Sequence, residues 1–117
     1  MKVNKIIIFG ASGFIGKNIA LSFKKKFKNT KIIGTYFKNK PNINGIHFVK
    51  CDLRNKKSVD KILKNTDVII QAAAITSGSK EIITKPYIHV SQNAVMNSIV
   101  TQSAYENYIK HVILLIN

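Results

Sequence analysis

A parallel-sheet α/β fold is what this 117-residue sequence predicts, and three observations carry the prediction. An apolar strand runs straight into closely spaced glycines in Lys5 to Gly16, KIIIFGASGFIG. Strand-like apolar runs then alternate with segments of helical period along the rest of the chain. The connections holding those helices are long enough for right-handed βαβ crossovers, which join parallel strands.

The elements follow in order. Lys2 to Phe9 reads as strand one, apolar throughout its second half, as a parallel strand buried on both faces must be. From Phe14 to about Lys28, Ile15, Ile19, Phe23 and Phe27 recur every fourth position and form one helical stripe. Lys24, Lys25, Lys26 and Lys28 crowd the last turn, where cations complement the helix dipole. That basic amphipathic pattern also suits a membrane-surface helix, but a sheet-covering helix is the expected role.

Lys31 to Phe37 is strand two, Asn39 to Gly45 is a loop around Pro41, and Ile46 to Lys50 is a short strand three. Ser58 to Leu63 is a short helix and Asp67 to Ala73 is strand four. A Gly/Ser loop around Ser77 to Ser79 leads into a long helix from Tyr87 or His89 to Tyr108. Along it Val95/Met96, Ile99/Val100 and Ala104 line one side. His111 to Ile116 is strand five, an apolar edge with unpaired backbone groups. The expected strand order is 3-2-1-4-5, with a ligand crevice at the switch point between strands one and four.

Composition narrows the function. At 45% hydrophobic residues, with no apolar run near the ~20 residues of a membrane span, the chain reads as one globular domain. Met1-Lys2 leads directly into strand one without a cleavable leader, so a cytoplasmic protein is expected. Cys51 is the lone cysteine, excluding an internal disulfide, and with three scattered histidines it offers no metal site. His47, His89 and His111, like Asp60 and Asp67, read as surface or strand-end residues.

The net charge of +14 raises the question of nucleic acid, yet Arg54 is the only arginine among 19 basic residues. Nucleic-acid surfaces favour arginine and interleaved aromatics. Here the lysines accompany abundant Asn and Ile, residues that share A/T-rich codons, so coding bias accounts for much of the charge. No nucleic-acid and no membrane partner is expected.

The glycines point to a dinucleotide. Gly10 permits the tight turn off the strand, Gly13 lets backbone approach a pyrophosphate, and Gly16 lets the helix pack close to the sheet. The N–H groups at the start of that helix, through Phe14 and Ile15, face the phosphates, and Ser12 adds a hydroxyl. A NAD-specific site places an acid at the end of strand two to hold the ribose 2′-hydroxyl. This chain has Thr35-Tyr-Phe-Lys-Asn-Lys40 there, and no carboxylate before Asp52. A 2′-phosphate would sit well beside Lys38 or Lys40, so NADP is the preferred cofactor and NAD the alternative. Membership of a generally basic surface is the other explanation of these lysines.

With these residues in view, the sequence resembles the N-terminal part of an extended short-chain dehydrogenase/reductase of the NAD-dependent epimerase/dehydratase family. The spacing Gly10-x-x-Gly13-x-x-Gly16 matches the family's fingerprint. Asp52-Leu53 resembles the family's Asp-Leu pair after strand three, whose carboxylate addresses the adenine amino group. Ala72-Ala73-Ala74 is similar to its small-residue turn after strand four, where ribose and nicotinamide lie against backbone. Asn93 resembles a structural asparagine of the next helix. From Ile75 through that helix the chain is most similar to GDP-L-fucose synthases and related sugar epimerase/reductases.

The resemblance implies a Rossmann-type domain, a nucleotide-sugar substrate and a homodimeric parent. It also implies a catalytic Ser or Thr after strand five and a Tyr-x-x-x-Lys pair beyond it. The chain reaches Asn117 first, so a partial domain, truncated after strand five and without catalytic residues of its own, is expected. The one Tyr-x-x-x-Lys spacing present, Tyr36 to Lys40, falls after strand two on the adenosine side. Two alternatives remain open: a non-catalytic dinucleotide-binding or redox-sensing module, and a basic surface-binding protein whose affinity falls steeply with salt.

Overall fold

A computed structural model of the chain describes residues 2–74 and 86–115, without the side chains of 86–90. Five strands, β1 (Lys5–Phe9), β2 (Lys31–Tyr36), β3 (His47–Lys50), β4 (Val68–Gln71) and β5 (His111–Leu114), form one sheet. Its order is β3-β2-β1-β4-β5, as expected. Every pairing is parallel, with Ile7 at the centre flanked by Ile33 and Ile69. Three helices, α1 (Phe14–Lys26), α2 (Lys56–Ile62) and α3 (Pro86–Glu106), complete the described elements.

Residues 6–9 are all buried because both faces of β1 are covered, which is why this strand reads as an unbroken apolar run. On one face Ile7, Phe9, Ile33 and Ile69 pack with Val59 and Leu63 of the α2 region and with Met96, Val100 and Ala104 of α3. On the other, Ile6, Ile8, Ile32 and Ile70 meet Ala20, Ile19, Phe23 and Phe27 of the α1 region. At about 1.5–3 kcal/mol per fully buried aliphatic side chain, these two clusters are the main force closing the fold.

Several boundaries shift for local reasons. β1 starts at Lys5, where Asp67 accepts the N–H groups of Asn4 and Lys5 at 2.7 and 3.0 Å. This clamp ties the entry of β1 to that of β4. α2 begins two residues before the expected Ser58, because the Asn55 side chain accepts from Lys57 and Ser58 N–H and caps the helix. Asp60 is not simply on the surface: it accepts from Lys56 at 2.9 Å and from Asn107 at 3.2 Å, linking α2 to the end of α3. α3 stops at Glu106 since Tyr108 takes a left-handed φ of 56°, and Ile109 N–H returns to Ala104 O at 3.0 Å. Ile15 and Val95, expected in the buried stripes, are 49% and 47% exposed. Gly16 and Ala20 are the buried residues of α1. The Ser77–Ser79 loop, the GDP-L-fucose synthase-like stretch from Ile75 and the His89 side chain lie outside the described residues.

Asp52, Asp60, Asp67 and Glu106 all have pKa values held below the usual carboxylate range, by hydrogen bonds from Arg54, from Lys56, from the Asn4 and Lys5 backbone, and from Lys56 respectively. A native pKa below the unfolded value of about 4 means that folding favours the ionised form. That stabilisation is complete above the unfolded pKa and is lost as pH falls through the lower folded values. Thermal melts should therefore show a midpoint that drops below about pH 4 and is insensitive to these groups near neutrality. A midpoint still level at pH 3 would contradict the clamps.

Among the described residues β5 pairs on one side only, with β4, and Val112, Ile113 and Leu114 are 37%, 46% and 37% exposed. Such an apolar edge is a template for strand addition. Ultracentrifugation of the 117-residue chain should show concentration-dependent self-association, and a monodisperse monomer across the accessible range would refute this.

Candidate functional site

The end of β1, the start of α1 and the ends of β2, β3 and β4 surround a cavity of about 630 Å³, the size of a small-molecule site. It opens above the carboxyl ends of the strands at the point where chain order reverses between β1 and β4. Parallel α/β sheets bind ligands there.

Of the residues singled out in the sequence, Gly10, Ser12, Gly13, Phe14, Ile15, Lys38, Asp52, Leu53, Ala72, Ala73 and Ala74 line this cavity. Gly16 and Asn93 do not; the α3 residues that do are Gln92 and Met96. Thr35, Tyr36, Phe37, Cys51 and Arg54 also line it.

The three glycines of the turn answer to different constraints. Gly10 has φ +77°, and a Cβ there would lie 2.4 Å from Ala73 Cα. A Cβ on Gly16 would lie 2.3 Å from Gly10 O. The fold therefore demands glycine at both positions. Gly13 is different: its φ of −80° and ψ of 169° suit any residue, and among the described residues its Cβ would meet only Gly10 O, at an ordinary 3.5 Å. Packing among the described residues gives no reason for a glycine at 13.

The turn is pinned from β2 by Thr35, a buried residue whose hydroxyl accepts from Gly10 N–H at 3.0 Å while its carbonyl accepts from Ala11 N–H at 2.9 Å. α1 has no side-chain cap and no acid in its first turn. The N–H groups of Phe14, Ile15 and Gly16 consequently lack intrahelical acceptors, and the helix dipole adds partial positive charge. This end of the cavity therefore carries hydrogen-bond donors and partial positive charge with no acid beside them in the helix's first turn.

Across the cavity, Asp52 accepts from Arg54 N–H at 3.0 Å and from its guanidinium Nε at 3.1 Å. The same guanidinium lies over the Phe37 ring at 5.4 Å. Arg54 thus holds the Asp52 carboxylate ionised and brings a guanidinium to the cavity that Lys38 also lines. No spacing rule pointed to Arg54, because it is paired through space with Phe37 from a different strand end. Cys51 is buried beside Asp52, and burial, reinforced by that carboxylate, pushes its thiol up to about 11. It is a structural wall with little thiolate at neutral pH.

Among the described residues no His/Cys/Asp/Glu group could hold a metal, and no helix is long and apolar enough to cross a membrane.

Residues 6–115 match the NAD dependent epimerase/dehydratase family. Among curated proteins, a dTDP-D-glucose 4,6-dehydratase of Dictyostelium discoideum is 28% identical over 91% of this chain and 27% of its own length. Among solved structures, a UDP-glucose 4-epimerase superposes with a TM-score of 0.79 at 19% identity, over 95% of this chain and 35% of its own. The Bordetella bronchiseptica enzyme WbmH in complex with NAD+ does so with a TM-score of 0.74 at 20% identity, over 95% of this chain and 38% of its own. The chain spans about a quarter of its curated relative, and the structural likenesses show a shared fold. With a family match covering both the glycine turn and all five strands, the chain belongs to the NAD-dependent epimerase/dehydratase family of nicotinamide-dinucleotide enzymes.

Proposed function

We propose that these 117 residues form one NAD(P)-binding Rossmann domain of a nucleotide-sugar epimerase, dehydratase or reductase, and that the domain prefers NADP. The observation carrying this reading is Gly13, a glycine that the fold does not require, at the mouth of an uncapped helix in the family's cofactor crevice. In the binding mode of this fold the pyrophosphate lies on the Gly10–Gly16 turn, which supports Gly13, Ser12 and the first N–H groups of α1 as its partners. The adenosine then extends over β2 and β3, toward Lys38, Phe37 and Asp52. The second nucleoside extends over β4, toward Ala72, Ala73 and Ala74.

A bound nicotinamide would accept or deliver hydride. The chain's residues contribute binding and orientation: backbone donors for the phosphates, a carboxylate held ionised by Arg54 for the adenine amino group, and a small-residue surface under the second ribose. The nucleotide-sugar substrate, like that named for the dTDP-D-glucose dehydratase relative, and a homodimeric cytoplasmic parent belong to this proposal.

NADP is favoured by Lys38 and Arg54 flanking the place where NAD-specific sites put an acid. Calorimetry should give tighter binding of NADPH than of NADH, and Lys38→Glu should narrow the gap by about tenfold or reverse it. Equal affinities in the unmodified chain would remove the case for NADP.

A further inference from the structure

Gln71 is the last residue of β4, fully buried, and both polar atoms of its amide are hydrogen-bonded. Its Nε2 donates to Ala73 O at 3.2 Å and to Asn97 Oδ1 of α3 at 2.9 Å. Its Oε1 accepts from Ala73 N–H at 3.0 Å. The side chain thus closes a ring on the backbone two residues ahead and ties that ring to the helix crossing behind it.

A methionine of similar length, or a leucine of similar bulk, would fill the space without desolvating an amide, so packing does not account for glutamine here. The two hydrogen bonds to Ala73 set the path of the Ala72–Ala74 turn, which forms the β4 wall of the cavity. The glycine turn has its own separate anchor in Thr35. The two halves of the crevice are therefore fixed by different side chains.

We propose that Gln71, oriented by Asn97, is a positioning residue that holds the Ala72–Ala74 turn in the shape needed by the second nucleoside of the dinucleotide. This rests on the cofactor mode proposed above, in which the adenosine half lies over β2 and only the second nucleoside reaches β4. Gln71 sets the shape of that wall by anchoring backbone behind it. An unanchored turn would have to be ordered at the expense of binding.

The test compares two ligands by calorimetry: whichever of NADPH and NADH the unmodified chain binds more tightly, and the matching adenosine half, 2′,5′-ADP or ADP. Gln71→Leu should weaken the dinucleotide about tenfold, the scale of one or two lost hydrogen bonds, while the adenosine half binds within about twofold of the unmodified chain. Asn97→Ala should act in the same direction, and Asn97→Asp, which keeps the acceptor for Gln71 Nε2, should restore dinucleotide binding. Asn97 is only half-buried on α3, so this pair carries the test even if Gln71→Leu fails to fold. Equal losses for both ligands, or no loss for either, would overturn the proposal. Failure of the unmodified chain to bind either ligand would overturn the cofactor reading itself, and the proposal with it.

Discussion

Gly13→Ala should abolish detectable dinucleotide binding, with a loss of ~100-fold or more, while leaving the melting temperature close to that of the unmodified chain. The backbone at Gly13 is in an extended region open to alanine, and among the described residues the new methyl meets nothing closer than 3.5 Å. Replacing glycine by alanine at a compatible site restricts the unfolded chain and stabilises by about 0.4–1 kcal/mol, which offsets the poorer capping of α1 by alanine at this N-cap position. The same methyl stands on the surface where a pyrophosphate would have to touch backbone. Gly10→Ala should do the reverse. Its φ of +77° and a Cβ 2.4 Å from Ala73 Cα combine strain with a backbone clash, a cost of about 3 kcal/mol or more against a typical stability of 5–15. Binding and melting measured on both variants separate a glycine kept for a ligand from one kept for the fold. If Gly13→Ala bound cofactor normally, the site would have been placed wrongly.

The second large effect concerns turnover. The 117-residue chain should bind cofactor without oxidising or reducing sugar nucleotides at a measurable rate. Moving hydride to or from a secondary alcohol requires a group that takes or supplies the hydroxyl proton beside the nicotinamide, a contribution typically of ~10²–10⁴ in rate. The only Tyr-x-x-x-Lys spacing in the chain begins at Tyr36, which lines the crevice at the end of β2, on the proposed adenosine side. Around the β4 turn the described lining is alanine, Gln92 and Met96, none of which exchanges a proton near neutral pH. The check is to follow NADPH oxidation with keto-sugar nucleotides, using this chain and a version extended by the whole of a family member C-terminal to the matched region. Comparable rates from the two would mean that an acid/base within these residues has been overlooked.

The strand order, the parallel sense and the place of the crevice were legible in the residues. Each depends on a local or periodic signal: an unbroken apolar run for a strand covered on both faces, a four-residue stripe for α1, glycines at fixed offsets for the turn. That Lys38, Asp52 and the Ala72–Ala74 turn line the cavity was legible for the same reason, since each immediately follows a strand whose end the pattern located. Three further features were decided by tertiary structure alone. Whether a glycine serves fold or ligand depends on what its missing Cβ would meet, and for Gly10 that neighbour is Ala73, far along the chain. Arg54 enters the site because β2 and β3 are adjacent, bringing Phe37 under its guanidinium. Gln71 reads as one more residue of an apolar strand until α3 supplies Asn97 across the sheet face. Periodicity and spacing record which face a residue shows, because burial acts on each residue singly. They do not record which distant partner waits there, because that depends on how whole elements dock.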